Sequence, residues 1–323
     1  MTIRTGISLL FAMCLGGAAW ADAPRVATDI APVQSLVARV MAGVGTPSVL
    51  IRAGVSPHGY ALRPSDAAAV QEADAVFWIG PELAPWLGDA LDTLAPDAVS
   101  VKLSDVPGVQ MRAFRDGVTF AAPPDDHDHD HDHDHAPDHG NDHDKDHGHD
   151  HSGTDPHAWL DPEHGKLWLA TIADTLAALD PENAALYASN AAAGTAEIDA
   201  AQTAITARLA PYTDLRFVVF HDAYQYFEAR FGLQATGAIA AGDAAGPGPA
   251  RIAEIRQAVI DREVACVFSE PQFNQSLVGT VVDGTGARAL VLDPLGGDIA
   301  PGPDFYTALL NDMADRFEEC AAP

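Results

Sequence analysis

The sequence predicts an α/β protein of two lobes joined by one long connecting helix, and three observations support this fold class. In each half of the chain, short Val- and Ile-rich runs alternate with helical patterns, which is typical of a parallel sheet with helices on both faces. An Ala-rich helical stretch at 162–209 separates the two halves. The chain has 323 residues, and a chain of this length forms two cores more naturally than one.

The first half contains a regular alternation of predicted strands and helices. Ser65-Asp66 and Pro81 are start signals for two of the helices. The predicted strands are Arg25–Thr28, Ser48–Arg52, Ala75–Ile79 and Val99–Leu103, and the predicted helices are Ala31–Met41, Pro64–Ala73 and Glu82–Leu94.

The central helical stretch is interrupted at Asp180-Pro181, and proline suits the first turn of a new helix. We therefore predict a connecting helix at 182–210, about 40 Å long at 1.5 Å per residue. It would join an N-terminal lobe at 22–181 to a C-terminal lobe at 211–323. In the second half the predicted strands are Leu215–Phe220, Gln234–Ile239, Val264–Phe268 and Ala287–Leu292, and the predicted helices are Asp222–Phe231, Pro249–Asp261, Gln275–Asp283 and Asp304–Cys320.

Residues 1–21 have the pattern of a cleaved signal peptide. Arg4 supplies a positive charge, and Ile7–Ala19 is an apolar run of the usual length that ends near a small-x-small cleavage site at Ala21. The run is too short to span a bilayer comfortably. We expect an exported mature chain that begins at Asp22.

Two cysteines remain after removal of the predicted signal peptide, Cys266 and Cys320. Closed structural zinc sites take four ligands, so two cysteines would make a poor zinc cage. Oxidising compartments maintain disulfides, which favours one bond between this pair in an exported protein.

The formal net charge of −28 excludes nucleic acid and anionic lipid surfaces as partners, because both repel an acidic protein. Part of this charge is local, since an insert at 125–151 holds eleven Asp and one Lys. The insert has almost no apolar residues and cannot bury enough surface to fold, so we predict a disordered loop.

The insert also contains most of the histidines, in near-strict alternation with aspartate. An acidic spacer needs no imidazole, so this alternation indicates auxiliary, weak metal sites. The histidines concerned are His127, His129, His131, His133, His135, His139, His143, His147, His149 and His151.

Four histidines lie outside the insert. His58 and His221 each follow a predicted strand, and ligands of open α/β sheets bind at the carboxyl ends of strands. His157 lies in a Pro-flanked loop in which Trp159 is a candidate anchor. The fourth, His164, is interpreted as an ordinary surface residue.

Three imidazoles from three segments are a typical set of zinc ligands, bound at about 2.0–2.1 Å each. A single histidine after a strand is more often a cap or a surface residue. Three of them in an exported, acidic chain with a His-rich insert favour a metal site at His58, His157 and His221. Nitrogen ligands favour zinc over manganese or magnesium, although manganese, nickel and copper stay open as alternative cations.

Several motifs, in this order along the chain, resemble the zinc-binding proteins of bacterial ABC importers, the ZnuA type of solute-binding protein. The resemblance covers essentially the whole mature chain. The motifs are Ser56-Pro57-His58-Gly59-Tyr60 and its continuation to Asp66, Asp155–Pro162, Phe220-His221-Asp222-Ala223-Tyr224, Phe268-Ser269-Glu270-Pro271-Gln272 and Leu292-Asp293-Pro294-Leu295-Gly296.

The resemblance implies two four-stranded parallel sheets, with a metal bound between the lobes by His58, His157 and His221. It also implies a periplasmic location, a His-rich loop in this position and a disulfide between Cys266 and Cys320. The implied partners are Zn²⁺ and a cognate inner-membrane ABC permease. A periplasmic zinc chaperone is a further candidate partner, and we expect a monomer.

The sequence departs from the family pattern at Pro57. Some relatives have a glutamate there that can act as the fourth metal ligand, and proline cannot ligate. The fourth ligand is therefore expected to be water or another carboxylate. Asp293 matches a ligand aspartate of some relatives. Glu270 is a weaker candidate for the fourth ligand, and we expect it to have a structural role instead.

The expected function is high-affinity capture of periplasmic Zn²⁺ and its delivery to the permease, with the insert gathering or sensing additional zinc. The expected protein is not an enzyme. Two alternatives stay open at this point: a zinc buffer or chaperone without a transporter, and a hydrolase that uses a three-histidine zinc centre.

Overall fold

The computed structural model of the chain describes residues 23–115, 117–120, 153–240 and 246–322. The predicted signal peptide at 1–21 and the predicted His/Asp-rich loop at 125–151 lie outside the described residues. These two predictions are therefore not tested by the structure.

The described strands form two larger sheets and a short ribbon. In chain order, the strands are β1 (Val26–Thr28), β2 (Ser48–Val49), β3 (Ala75–Trp78), β4 (Val99–Lys102), β5 (Arg112–Ala113), β6 (Thr154–Asp155), β7 (Phe217–Val219), β8 (Gly237–Ala238), β9 (Cys266–Ser269) and β10 (Arg288–Val291). The first sheet has the order β2-β1-β3-β4 and the second β10-β9-β7-β8, and every pairing in both is parallel. Two four-stranded parallel sheets are thus confirmed.

The helices pack on these sheets and on one another. In chain order, they are α1 (Ala31–Val40), α2 (Pro64–Gln71), α3 (Pro85–Leu94), α4 (Pro162–Leu179), α5 (Ala184–Leu209), α6 (Gln225–Phe231), α7 (Pro249–Asp261), α8 (Ser276–Val282) and α9 (Phe305–Ala321). α2, α4 and α7 begin at a proline, where the absent N–H costs no helical hydrogen bond. The start predicted at Pro81 is wrong, because α3 begins at Pro85. Among the described residues, no helix is both long enough and apolar enough to cross a membrane.

The predicted long connecting helix corresponds to α5, which has 26 residues. It contacts α1 and α4 on the N-terminal side and α9 on the C-terminal side. The break before it is held by the side chain of Asp180, which accepts hydrogen bonds from Asn183 Nδ2 at 2.7 Å and Tyr187 Oη at 2.8 Å. The lobe boundaries at residues 181 and 210 remain a prediction.

The sequence did not predict the short β-structure that the chain forms on either side of the insert. β5 and β6 pair as an antiparallel ribbon. Thr119 forms an antiparallel bridge with Gly237, so residues from the N-terminal half extend the edge of the second sheet. Gly237 fits this position because a Cβ there would meet the Val118 carbonyl oxygen at 2.2 Å.

The predicted disulfide is present between Cys266 on β9 and Cys320 on α9, with a Cα–Cα distance of 5.8 Å. Both cysteines are buried. The bond attaches the last helix to a central strand of the second sheet.

Candidate metal centre

The structure brings together the three histidines that the sequence proposed as metal ligands. One ligand atom from each of His58, His157 and His221 lies within 4.8 Å of the others. His157 and His221 are buried, and His58 is half-buried. No other group of three or more His, Cys, Asp or Glu side chains in the described part of the chain meets this spacing.

Each of the two sheets contributes one of these histidines from the carboxyl edge of its strands. His58 follows β2 in a loop that Tyr60 anchors, because the Tyr60 hydroxyl donates a hydrogen bond to Asp66 Oδ2 at 2.5 Å and lies 3.1 Å from the Leu50 carbonyl oxygen. His221 lies two residues after β7, and its ring contacts the ring of Phe273 edge-on, with 5.2 Å between the centroids. Both imidazoles therefore lie at the carboxyl edge of a parallel sheet, where ligands of such sheets usually bind.

His157 comes from the loop between β6 and α4. The indole N–H of Trp159 donates a hydrogen bond to the Pro294 carbonyl oxygen at 2.8 Å, and Trp159 is 1% exposed. The predicted anchoring role of this tryptophan is thus confirmed. The contact ties the His157 loop to the segment after β10.

Asp155 fixes the orientation and the tautomer of His157. Its Oδ1 lies 2.6 Å from His157 Nδ1, and its Oδ2 accepts a hydrogen bond from Gln225 Nε2 at 2.5 Å. An ionised carboxylate only accepts hydrogen bonds, so the proton of His157 is on Nδ1 and the lone pair is on Nε2. A buried histidine held in this way presents Nε2 as a metal ligand.

Glu270 does the same for His221. Its Oε1 lies 2.6 Å from His221 Nδ1, and Glu270 is 1% exposed. Because this carboxylate also only accepts hydrogen bonds, the His221 proton is on Nδ1 and the lone pair is on Nε2. The structural role expected for Glu270 therefore becomes specific, since it orients a candidate ligand.

The two Nε2 atoms of His157 and His221 are 3.3 Å apart. With the protons on Nδ1, both atoms direct lone pairs towards the same point, an arrangement that a cation bound between them would stabilise. Two nitrogens bound to one zinc ion at about 2.0–2.1 Å in tetrahedral geometry stand about 3.3–3.4 Å apart. The spacing of these atoms therefore fits zinc.

Asp293 lies outside the group of three histidines. Its Oδ1 accepts hydrogen bonds from Gln272 Nε2 at 2.8 Å and from the Leu295 backbone N–H at 2.9 Å. Its Oδ2 accepts one from the Gly297 backbone N–H at 2.6 Å. In this structure the carboxylate shapes the turn after β10.

The surface position predicted for His164 is wrong, because this residue is 4% exposed. Its Nε2 accepts a hydrogen bond from the Gln110 backbone N–H at 3.2 Å, and its Nδ1 donates to the Ala158 carbonyl oxygen at 3.1 Å. Burial lowers the pKa of His164. The first turn of α4 points this side chain towards Tyr226 on α6, a tertiary contact that local sequence does not reveal.

The cavity beside the three histidines is small, at about 10 Å³. This is on the order of the space that one water molecule requires. Its walls combine the imidazoles with apolar and amide side chains, including Trp159, Phe273 and Gln272. The cavity suits an ion with one small ligand rather than an organic molecule.

Sequence reasoning gave no role to three residues at the centre: Asp155, Gln225 and Gln272. The signal for Asp155 was present, because a carboxylate two residues before a candidate ligand can reach its imidazole. Gln225 and Gln272 approach the centre only through tertiary structure, and amides carry no comparable pattern in sequence.

Comparison with known proteins supports the interpretation of this centre. Residues 26–320 match the family described as ZnuA, zinc-uptake complex component A, periplasmic. The chain is 42% identical over 307 residues to the high-affinity zinc uptake system protein ZnuA of Brucella abortus (strain 2308), covering 91% of each chain. It is 41% identical over 317 residues to the protein of the same name from Paracoccus denitrificans (strain Pd 1222), covering 97% of each.

Solved structures show the same fold. A crystal structure of ZnuA superposes with a TM-score of 0.74 at 24% identity, covering 93% of this chain and 100% of the other. The periplasmic zinc-binding protein TroA from Treponema pallidum gives a TM-score of 0.74 at 18% identity, with the same coverage. From the match across residues 26–320 and the identity to these relatives, the chain belongs to the ZnuA family of periplasmic zinc-uptake components.

Proposed function

We propose that this protein captures Zn²⁺ with high affinity through His58, His157 and His221 and delivers the ion to an inner-membrane ABC permease. The observation that carries the proposal is the pair of Nε2 lone pairs 3.3 Å apart on His157 and His221. A cation between them would stabilise this arrangement, and the relatives at 41–42% identity are named high-affinity zinc uptake proteins. Zinc is the cargo of such a protein.

The first test removes each proposed ligand in turn. His58→Ala, His157→Ala and His221→Ala should each weaken tight zinc binding more than about a hundredfold, beyond the 10- to 100-fold effect typical of residues that only support a ligand. His164→Ala is the matched control, because His164 is buried but lies outside the group. Competition with a chelator of known affinity measures the change, and an equal effect of His164→Ala would remove the ligand assignment.

The choice of zinc over other cations follows from the donor atoms. Three neutral imidazoles favour zinc over manganese and magnesium, which prefer oxygen. Copper competes well for such sites by affinity order, so metal competition at equal concentrations is the discriminating measurement. We expect zinc to displace Mn²⁺ completely, while protons displace zinc as the medium becomes acidic because they compete for the same nitrogen atoms.

We propose that the insert at 125–151 gathers additional zinc for the centre. Its alternating His and Asp side chains supply many imidazoles, and we expect weaker binding there than at the centre, because a segment with almost no apolar residues gains too little from burial to offset the entropy of ordering it. Deleting 125–151 should lower the zinc stoichiometry in calorimetric titration and leave the tightest phase in place. Loss of the tightest phase would contradict the assignment of tight binding to the three histidines and of weaker binding to the insert.

We propose that the chain is exported to the periplasm and that residues 1–21 are removed as a signal peptide. We also propose that the mature protein acts as a monomer. A zinc chaperone is a further candidate partner. Growth of zinc-starved cells distinguishes transport from simple buffering. The protein should restore growth only when the cognate permease is present.

A hydrolase is the weaker proposal, because the relatives at 41–42% identity are named zinc uptake proteins and the cavity beside the histidines is only about 10 Å³. Hydrolytic assay of the zinc-loaded protein should give no turnover.

A further inference from the structure

We propose that Gln272 holds the fourth ligand of the zinc ion, a water molecule, through its side-chain oxygen, and that Asp293 acts on the centre through Gln272. This inference rests on the proposed zinc site. It concerns the coordination position that three histidines leave open in a four-coordinate ion. The sequence left that position to water or to Asp293, because Pro57 cannot ligate.

The first observation concerns the oxygen of the Gln272 amide. Gln272 lines the same cavity as His58, His157 and His221. Its Oε1 is buried and accepts no hydrogen bond from any described residue. Buried polar atoms are nearly always hydrogen-bonded in native proteins, so an acceptor in this position calls for a donor.

The second observation fixes which end of the amide is available. Gln272 Nε2 donates a hydrogen bond to Asp293 Oδ1 at 2.8 Å. A carboxylate cannot donate, so it selects the NH₂ group and leaves the carbonyl oxygen for another partner. Asp293 is itself held by the backbone N–H groups of Leu295 and Gly297, at 2.9 and 2.6 Å. It is therefore a fixed acceptor that orients Gln272.

A zinc-bound water would supply the hydrogen-bond donor that Gln272 Oε1 needs and the fourth ligand that the zinc ion needs. It has two hydrogens to donate, and Gln272 Oε1 is an acceptor that otherwise has no described partner. The cavity of about 10 Å³ matches the space for one water. Gln272 is thus a positioning residue for the fourth ligand, and Asp293 positions Gln272.

The test compares Gln272→Leu with Gln202→Leu. Gln202 is a matched control because its Oε1 is also buried without a described partner, while its position on α5 is beside Lys166 and Asp199, in a different cavity. Zinc affinity is measured by chelator competition. The visible absorption of the cobalt-loaded protein is then followed as pH rises, because a metal-bound water loses its proton on the alkaline side and changes the spectrum.

Gln272→Leu should weaken zinc binding about 10- to 100-fold and move the midpoint of the alkaline spectral change to lower pH. The midpoint falls because removing the partial negative charge of the amide oxygen makes loss of a proton from the bound water easier. Gln202→Leu should change neither quantity. An absent alkaline change in the unaltered protein, or an unshifted midpoint in Gln272→Leu, overturns the proposal.

A double-mutant cycle separates Asp293 as a positioning residue from Asp293 as a ligand. If Asp293 acts through Gln272, adding Asp293→Asn to Gln272→Leu should cause no further loss of zinc affinity. Additive losses, or a much larger loss in Asp293→Asn than in Gln272→Leu, would overturn the proposal. Failure of His157→Ala to weaken binding would instead remove the zinc site itself, so the two failures are distinguishable.

Discussion

At the residue scale, the centre depends on carboxylates that contact the histidines. Asp155 and Glu270 each receive an Nδ1–H group at 2.6 Å, which leaves Nε2 of His157 and His221 available to a metal ion. Such partners fix the direction of the lone pair and raise the basicity of the imidazole. The zinc affinity of the site is therefore expected to depend on Asp155 and Glu270 as well as on the proposed ligands.

Removing these carboxylates should weaken the site while keeping the histidines. Asp155→Asn and Glu270→Gln are each expected to lower zinc affinity about 10- to 100-fold, as is typical of hydrogen-bond partners behind a ligand. Asp199→Asn is the control, because Asp199 is an exposed partner of Lys166 remote from the histidines. Unchanged affinity in both variants, measured by chelator competition, would show that the ligands need no such support.

His164 provides the opposite case, a buried histidine with a structural role. His164→Ala should destabilise the fold by about 2–3 kcal/mol, since it creates a cavity and removes the partners of the Gln110 N–H and the Ala158 carbonyl oxygen. Zinc affinity should not change. Urea unfolding measures the first effect, and unfolding at the same urea concentration as the unaltered protein would contradict the structural role.

At the element scale, Asp29 joins the carboxyl ends of three strands of the first sheet. Its backbone oxygen accepts from Ile51 N, and its side-chain oxygens accept from Ile30 N and Ile79 N, both at 2.8 Å. Complete burial raises the pKa of Asp29 to about 7. This carboxyl connects β1 with the segments that follow β2 and β3, close to where the His58 loop begins.

The raised pKa predicts a stability that falls with rising pH. Unfolding exposes Asp29 and returns its pKa to about 3.9, so its contribution is present in acid and is lost as pH rises through about 7. Between about pH 5 and pH 8 this loss amounts to about 2–3 kcal/mol relative to Asp29→Asn. Urea unfolding of the zinc-free protein at both pH values measures it, and parallel pH dependence in the two proteins would contradict the assignment.

Most elements of this fold could be predicted because their patterns are local. Val- and Ile-rich runs fall on β3, β9 and β10, and prolines mark the starts of α2 and α4. The β5–β6 ribbon could not be predicted, because two-residue strands carry no periodicity. The same limit applies to His164, whose environment is set by α6, an element more than fifty residues away in sequence.

At the scale of the whole molecule, contacts between distant segments hold the centre together. Trp159 joins the His157 loop to Pro294, and Arg115 pairs with Asp222, next to His221, and with Glu228 on α6. The three proposed ligands could be predicted from their positions after strands and from family motifs. Their mutual distances could not, because these depend on how α5 and the interlobe contacts set the two sheets against each other.

The proposed function depends on one zinc ion binding at His58, His157 and His221. The most direct measurement is a crystal structure of the protein lacking 125–151, loaded with one equivalent of zinc and recorded at the zinc absorption edge. We expect one strong anomalous peak about 2.0–2.1 Å from the Nε2 atoms of His157 and His221 and from one imidazole nitrogen of His58. A peak elsewhere, or one that any of these imidazoles does not reach, would contradict it.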